Sequence, residues 1–323
     1  NNTAIGEGSG KSNTTGHNNA FLGQDAGEAN TTGLYNVAVG SDALQANTTA
    51  AENTAVGFQA MFTNVSGAQN VALGSYSLYP QTTGANNTAM GYNSGGAMTT
   101  GSNNTIMGHR ALQGNTTADN NTAVGYQAGY ANTTGASNTA VGTSALVANT
   151  TASNNTAVGF QAGLSNTTGD ATTAIGTKAL RGNTTGRFNS ALGYESLYAN
   201  TTGTYNVSVG SAALSQNTTA DYNTAMGYHA GTANTTGDQN TSVGGLSFNA
   251  NTTGRNNAAF GYFALSANTT ADNNAAFGVN SLYANSTGTN NTAVGMSALQ
   301  NNTTASNNTG LGYRAGFSNT TGT

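Results

Sequence analysis

NTAVGYQAGYANTTGAS (residues 121–137) is followed by NTAVGTSALVANTTASN (138–154) and then by NTAVGFQAGLSNTTGDA (155–171). Three successive stretches keep Asn, Gly and Thr in place while the residues between them drift. A repeat of fixed length with fixed small residues is the signature of a chain that stacks on itself. Numbered from Asn2, the 17-residue unit runs through nineteen copies to Asn308 and its followers without one insertion. Position 5 is Gly in every unit and position 8 is Ala or Ser. Position 1 is Asn except at Thr172, and position 14 is Thr except at Ser66. A disordered polar tract has no reason to forbid a one-residue slip, so each unit reads as one ordered coil.

Apolar residues do not recur at helical spacing, and Gly and Asn are poor helix formers. β-branched residues at positions 2, 4, 13 and 14, with Gly, Asn and Ala between, predict short strands joined by turns. The expected fold is all-β: a parallel β-solenoid of nineteen 17-residue coils, spanning 1–323 as one continuous array without separate domains or caps. At about 4.8 Å per coil, such a rod would be roughly 90 Å long. Like residues then lie over like. Asn can pass amide hydrogen bonds from coil to coil, and Thr at position 14 can pack methyls and link hydroxyls. A stacked charge would repel itself in every coil.

Positions 3 and 4 point to opposite faces of one strand. Position 4 is always large and apolar (Val124, Val141, Phe260, Leu311), and position 3 is mostly Ala, with Phe21 and Ile106 larger. Two dry faces on so thin a coil predict that a second chain covers one of them. Position 6 carries an aromatic in alternate units: Phe58, Tyr92, Tyr126, Phe160, Tyr194, Tyr228 and Tyr262. Position 9 tends to be Gly beside an aromatic (Gly129, Gly163, Gly231) and Leu beside a small residue (Leu146, Leu180, Leu214). This gives a 34-residue superperiod, and predicts that positions 6 and 9 share one volume. Its alternative use is an aromatic ridge that binds sugars or a neighbouring rod.

The strings NVAVG (36–40), NVALG (70–74) and NVSVG (206–210), with Ala43 and Ala213 three residues beyond the Gly, resemble the head repeats of trimeric autotransporter adhesins. That resemblance implies a left-handed parallel β-roll with three chains side by side on a bacterial surface. The unit here is three residues longer, around N-T-T-G, which implies a wider corner. The N-T-A-x-G … N-T-T-G phrasing is also similar to repeat arrays of secreted and phage tail-fibre-like proteins of aquatic bacteria.

Position 12 supplies an N-glycosylation sequon in seventeen units: Asn13, Asn30, Asn47, Asn64, Asn115, Asn132, Asn149, Asn166, Asn183, Asn200, Asn217, Asn234, Asn251, Asn268, Asn285, Asn302 and Asn319. A sugar row along one edge is one reading, and a turn in which Asn adopts a left-handed conformation is the other. Gln81 and Met98 replace the Asn in two units while the Thr pairs remain, which predicts that position 12 faces solvent. A second set of sequons begins at position 17 (Asn86, Asn103, Asn120, Asn154).

Composition narrows the function classes. With 6% charged residues and a net charge of -4, nucleic-acid binding has no electrostatic basis. There is no Cys, which excludes disulfides and thiolate metal sites, and no apolar run near membrane length, so membrane insertion is not expected. Asp119, Asp170, Asp221, Asp238 and Asp272 sit at position 16 without forming an acid–base pair. His17, His109 and His229 fall at three different unit positions, so neither a metal nor another cofactor is expected beyond covalent glycans. Arg110, Lys178, Arg181 and Arg255 read as isolated surface charges. No enzyme is expected. The expectation is a structural subunit of an extracellular or cell-surface fibre, self-associating laterally or end to end. An adhesin or fibre shaft binding carbohydrate is the alternative. An ice-binding face at position 2 (Thr88, Thr122, Thr139, Thr156) is the third, weakened by Val37, Val71, Val207, Ala258 and Ala275 in that row. The absence of a polar cap predicts either a slice of a longer array or end-to-end stacking.

Overall fold

The computed structural model describes residues 1–322 and is all-β. Every unit contributes one three-residue strand from positions 2–4, and turns and bends make up the rest of the coil. The chain divides into two compact units, Asn1–Gln161 and a second from Ala162 onward. The first carries β1 (Thr3–Ile5) to β10 (Thr156–Val158), and the second β11 (Thr173–Ile175) to β19 (Thr309–Leu311). Within each unit, successive strands pair parallel and in register. Thr122, Ala123 and Val124 of β8 lie opposite Thr139, Ala140 and Val141 of β9. The expected parallel solenoid is the observed fold. Thr323, the last residue of the expected array, lies outside the described residues.

The coil closes because backbone groups find partners one coil away. The Thr122 N–H donates to the Asn138 carbonyl of the following coil at 2.8 Å, and the Gly125 N–H to the Met107 carbonyl of the preceding one at 2.7 Å. Two tight turns lie within the coil, where the Ala128 N–H donates to Gly125 and the Asn132 N–H to Gly129. Positions 7 and 17 lie in the left-handed region in non-glycine residues, as at Gln127 (φ 53°) and Tyr205 (φ 58°). That explains the frequent Asn at position 17, since Asn tolerates this conformation better than most side chains.

The interior is filled by positions 1, 3, 8, 9, 12 and 15. The middle residue of the strand points inward and the large position 4 residue outward, as in Val37–Val39, where only Ala38 is buried. The small Ala at position 3 suits so narrow a coil. Phe21 fits because positions 9 of its own coil and the preceding one are Gly. A Cβ on Gly27 would lie 2.7 Å from the Phe21 ring.

Axial packing, not a shared volume across the corner, accounts for Leu facing Gly at position 9 where the two alternate, while Leu180, Leu197 and Leu214 follow one another without a Gly between them. Positions 6 and 9 do not share a volume, because position 6 is outside and position 9 inside: Tyr126 is 49% exposed and Leu112 2%. Instead, a Leu at position 9 spreads over the Gly of the next coil. A Cβ on Gly129 would meet Leu112 Cδ1 at 2.8 Å, and one on Gly231 would meet Leu214 Cδ2 at 3.1 Å. Nothing in the structure explains why aromatics at position 6 follow the same alternation.

Candidate functional site

Two rows of buried Asn form the interior polar framework. At position 1, the Asn121 Oδ1 accepts from the Asn138 N–H at 2.8 Å, while its Nδ2 donates to the Gly135 carbonyl at 3.0 Å. At position 12, the Asn200 Nδ2 donates to Asn183 Oδ1 at 2.8 Å and to the Gly203 carbonyl at 3.0 Å. Asn217 repeats this one coil on, donating to Asn200 at 2.9 Å. Both rows therefore converge on the position 15 carbonyl of each coil. Most of these buried amides are satisfied by a neighbouring coil and the turn beside them, which makes burial of so polar a side chain tolerable.

This overturns the expectation that position 12 faces solvent. Asn30, Asn47, Asn64, Asn115, Asn132, Asn149, Asn166, Asn183, Asn200, Asn217, Asn234, Asn251, Asn268, Asn285 and Asn302 are all buried. Only Asn13 and Asn319 are partly open. Nor is position 12 among the left-handed residues, so the Asn serves its side-chain ladder rather than a backbone turn. An Nδ2 that donates within the ladder has no room for a sugar in the folded coil. The position 17 sequons differ: Asn86, Asn103, Asn120 and Asn154 are exposed.

Gln81 and Met98 break the position 12 ladder from inside. Gln81 Nε2 still donates to the Gly84 carbonyl. Met98 offers only a thioether, on which Asn115 Nδ2 rests at 3.3 Å. Asn64 Oδ1 and Gln81 Oε1 are left buried without a hydrogen bond. An orphaned buried acceptor costs about 1–3 kcal/mol. The double substitution Gln81→Asn with Met98→Asn should therefore stabilise these coils by about 1–2 kcal/mol. Slower amide hydrogen exchange across coils 4 to 7 is the expected result. Unchanged or faster exchange would show that the larger side chains compensate by packing.

The Thr pair has a divided role. Position 13 hydroxyls reach the next coil, as Thr31 Oγ1 does to the Thr48 carbonyl at 2.9 Å and Thr133 to Thr150 at 2.9 Å. Position 14 is exposed, so the expected hydroxyl links belong to its neighbour. Position 2, the row considered for ice, points outward with position 4 rather than into a packed interior, and apolar side chains flank it.

The acids at position 16 are structural. Asp119 Oδ1 accepts from the Ser102 N–H at 2.7 Å, Asp221 from Thr204 at 2.6 Å, and Asp272 from Arg255 at 2.7 Å. The basic residues are less isolated than expected. Lys178 pairs with Glu195 at 3.2 Å and Arg255 with Asp238 at 3.8 Å, each one coil apart. Arg181 donates to the Tyr198 hydroxyl at 3.0 Å. Among the described residues, no three His, Asp or Glu side chains gather as a metal site. Nor, among the described residues, is any helix long and apolar enough to cross a membrane.

The aromatic residues predicted at position 6 lie on the outside of the coil. Phe58, Tyr92, Tyr126, Phe160, Tyr194, Tyr228 and Tyr262 are all exposed. They do not form a single ridge with empty steps between. His109 fills one step by stacking on Tyr92 at 5.4 Å and on Tyr126 at 5.5 Å. Tyr76 fills another, edge-on to Phe58 and Tyr92. A second exposed stack, Phe188–Tyr205–Tyr222 at position 17, has ring centroids 5.0 Å apart. Its signal in the sequence was three consecutive aromatics at one unit position, hidden among the Asn, Ser and Gln of other units. A hydrogen bond to the Glu195 carboxylate, followed by that group's charge, raises the Tyr194 phenol above the usual tyrosine range.

The chain matches no family model and no curated protein. The fold and its rows therefore define it as a parallel β-solenoid of Asn-laddered 17-residue coils.

Proposed function

We propose that the chain is the structural shaft of an extracellular fibre, whose coils associate side by side with further copies through the outward strand face. The observation that carries this reading is the uninterrupted apolar row at position 4. In the first unit it exposes Ile5, Leu22, Val56 and Val158. In the second it exposes Ile175, Leu192, Met226, Phe260, Phe277 and Val294. Within each compact unit, an apolar row on the outer strand face is costly to leave in water and suits an association surface. The resemblance to adhesin head repeats supports side-by-side copies, and the near absence of charge allows them to approach closely. The test is sedimentation velocity with electron microscopy of the full chain. Multi-chain rods are expected, and dispersed single chains at all concentrations would refute the reading.

The fibre proposed here lacks a sugar row on its NTT boxes. Mass spectrometry of the natural fibre should find position 12 peptides at their bare mass. Any N-linked sugar should sit at an exposed position 17 sequon, such as Asn86, Asn103, Asn120, Asn154, Asn290 or Asn307. Hexose-spaced mass on the Asn200 or Asn217 peptides would show that sugar attachment precedes folding and that the ladder forms without those amides.

A further inference from the structure

We infer that the second unit carries a binding cleft for a neutral saccharide, walled by Tyr262, Phe263 and Tyr283 and fitted with the amides of Asn280 and Gln300. The cleft lies on the outer side of coils 16 to 18, beyond the Gly261 and Gly278 corners from the apolar position 4 row. It is a solvent-open groove of about 420 Å³, completed by Val279. Small-molecule sites occupy about 300–1,000 Å³, so the space suits one or two sugar rings.

Three features of the lining point to this ligand class. First, the rings are set as walls rather than as a flat stack. Tyr262 and Phe263 meet at 4.2 Å and 62°, and Phe263 and Tyr283 at 5.7 Å and 90°. Two ring faces at a right angle can take the apolar C–H face of a sugar and grip its edge. Second, Asn280 and Gln300 each bring both donor and acceptor, the pair that neighbouring hydroxyls of a sugar require. Their backbones are fixed in the ladder: the Asn280 N–H donates to the Tyr262 carbonyl at 3.0 Å, and the Gln300 carbonyl accepts from Ala284 at 2.9 Å. Third, no charged side chain lines the cleft, which gives no purchase to a sulfated or carboxylated glycan.

The local sequence shows how this cleft is built. At position 6, between two coils with an aromatic or a long side chain, most small-residue units carry Ser, Thr or Gly (Ser75, Thr143, Thr177, Ser211, Gly245), but coil 17 carries Val279. At positions 7 and 10, Phe263 and Tyr283 add bulk on either side of Asn280. Tyr262 and Tyr283 remain 50% and 40% exposed, so their faces are open to a ligand.

The test is titration of the full chain with neutral gluco-, galacto- and N-acetylglucosamine oligosaccharides, with matched acidic oligosaccharides alongside. The chain has no Trp, so tyrosine fluorescence reports directly. A millimolar or tighter Kd is expected for at least one neutral series. Tyr283→Ala and Tyr262→Ala should each weaken it about tenfold or more. Asn280→Gly removes the amide but keeps the left-handed backbone (φ 56°), and should weaken it measurably without changing the melting curve. Tyr205→Ala, on the other aromatic row, should leave binding unchanged. The proposal is overturned if no neutral series binds, if binding survives both tyrosine substitutions, or if acidic sugars bind more tightly. It is also overturned if Tyr283→Ala disperses the assembly without affecting any sugar, since the cleft would then seat a second copy.

Discussion

Gly244→Ala should open the solenoid locally, while the adjacent Gly245→Ser should be nearly silent. Gly244 sits at φ +127°, where an L side chain is strained by about 1–3 kcal/mol. Its added Cβ would also lie 2.6 Å from the Gly261 carbonyl oxygen and 2.7 Å from the carbonyl carbon. Both obstacles are backbone of the next coil, so no side chain can rotate away. Relief requires coils 15 and 16 to separate where the Gly261 N–H donates to the Val243 carbonyl at 2.8 Å. Losing that bond on top of the strain and the clash gives an expected cost of about 3 kcal/mol or more. Gly245 has an unstrained φ, and the nearest atom to its added Cβ is a Tyr262 ring carbon at 3.3 Å. Ser already stands at the equivalent place in other units, as Ser75 and Ser211. A change within about 0.5 kcal/mol is expected there. Hydrogen exchange across residues 224–262 separates the two. Equal protection in both variants would mean that the corner can flex in a way its repeated geometry denies.

The contrast between those neighbours shows what the repeat reveals. A Gly that never varies marked a place where neither φ nor space admits a Cβ, and the period and strand positions followed from the same fixed residues. Position 12 was misread because Met98 seemed incompatible with a buried site otherwise filled by Asn. In the folded coil, the Asn104 and Asn115 amides donate to the Met98 thioether, at the cost of an orphaned Gln81 oxygen in the coil before it. The alternation at position 9 was visible, but its cause was axial. Leu112 covers the Gly of the coil after it, a contact seventeen residues away rather than across a corner. Charge pairs such as Lys178 with Glu195 were hidden the same way, being seventeen residues apart. The cleft at Tyr262 was only partly legible: one of its rings belonged to the predicted ridge. Phe263 is its neighbour in the same coil at position 7, and Tyr283, at position 10, joins them only when coils 16 and 17 stack.

Leu192→Lys, Met226→Lys and Phe260→Lys together should abolish side-by-side association while leaving the coil folded. These side chains are 47%, 44% and 37% exposed, so a lysine can send its ammonium to water without displacing interior atoms. The three positions lie in alternate coils, which keeps the introduced charges about 9.6 Å apart and spares the strand ladder from adjacent like charges. In an assembly, however, each ammonium would be pressed against an apolar stripe and lose its water, and a buried unpaired charge costs several kcal/mol. Three such charges exceed what an interface of half-exposed Val, Leu and Phe can offset. The matched control places the same charges on Thr202, Thr236 and Thr270, which are exposed at position 14, away from the strand. If net charge alone disperses the chains, both triples should do so. If the position 4 row is the contact, only the first triple should reduce the sedimenting species to single chains, with the circular dichroism of both unchanged.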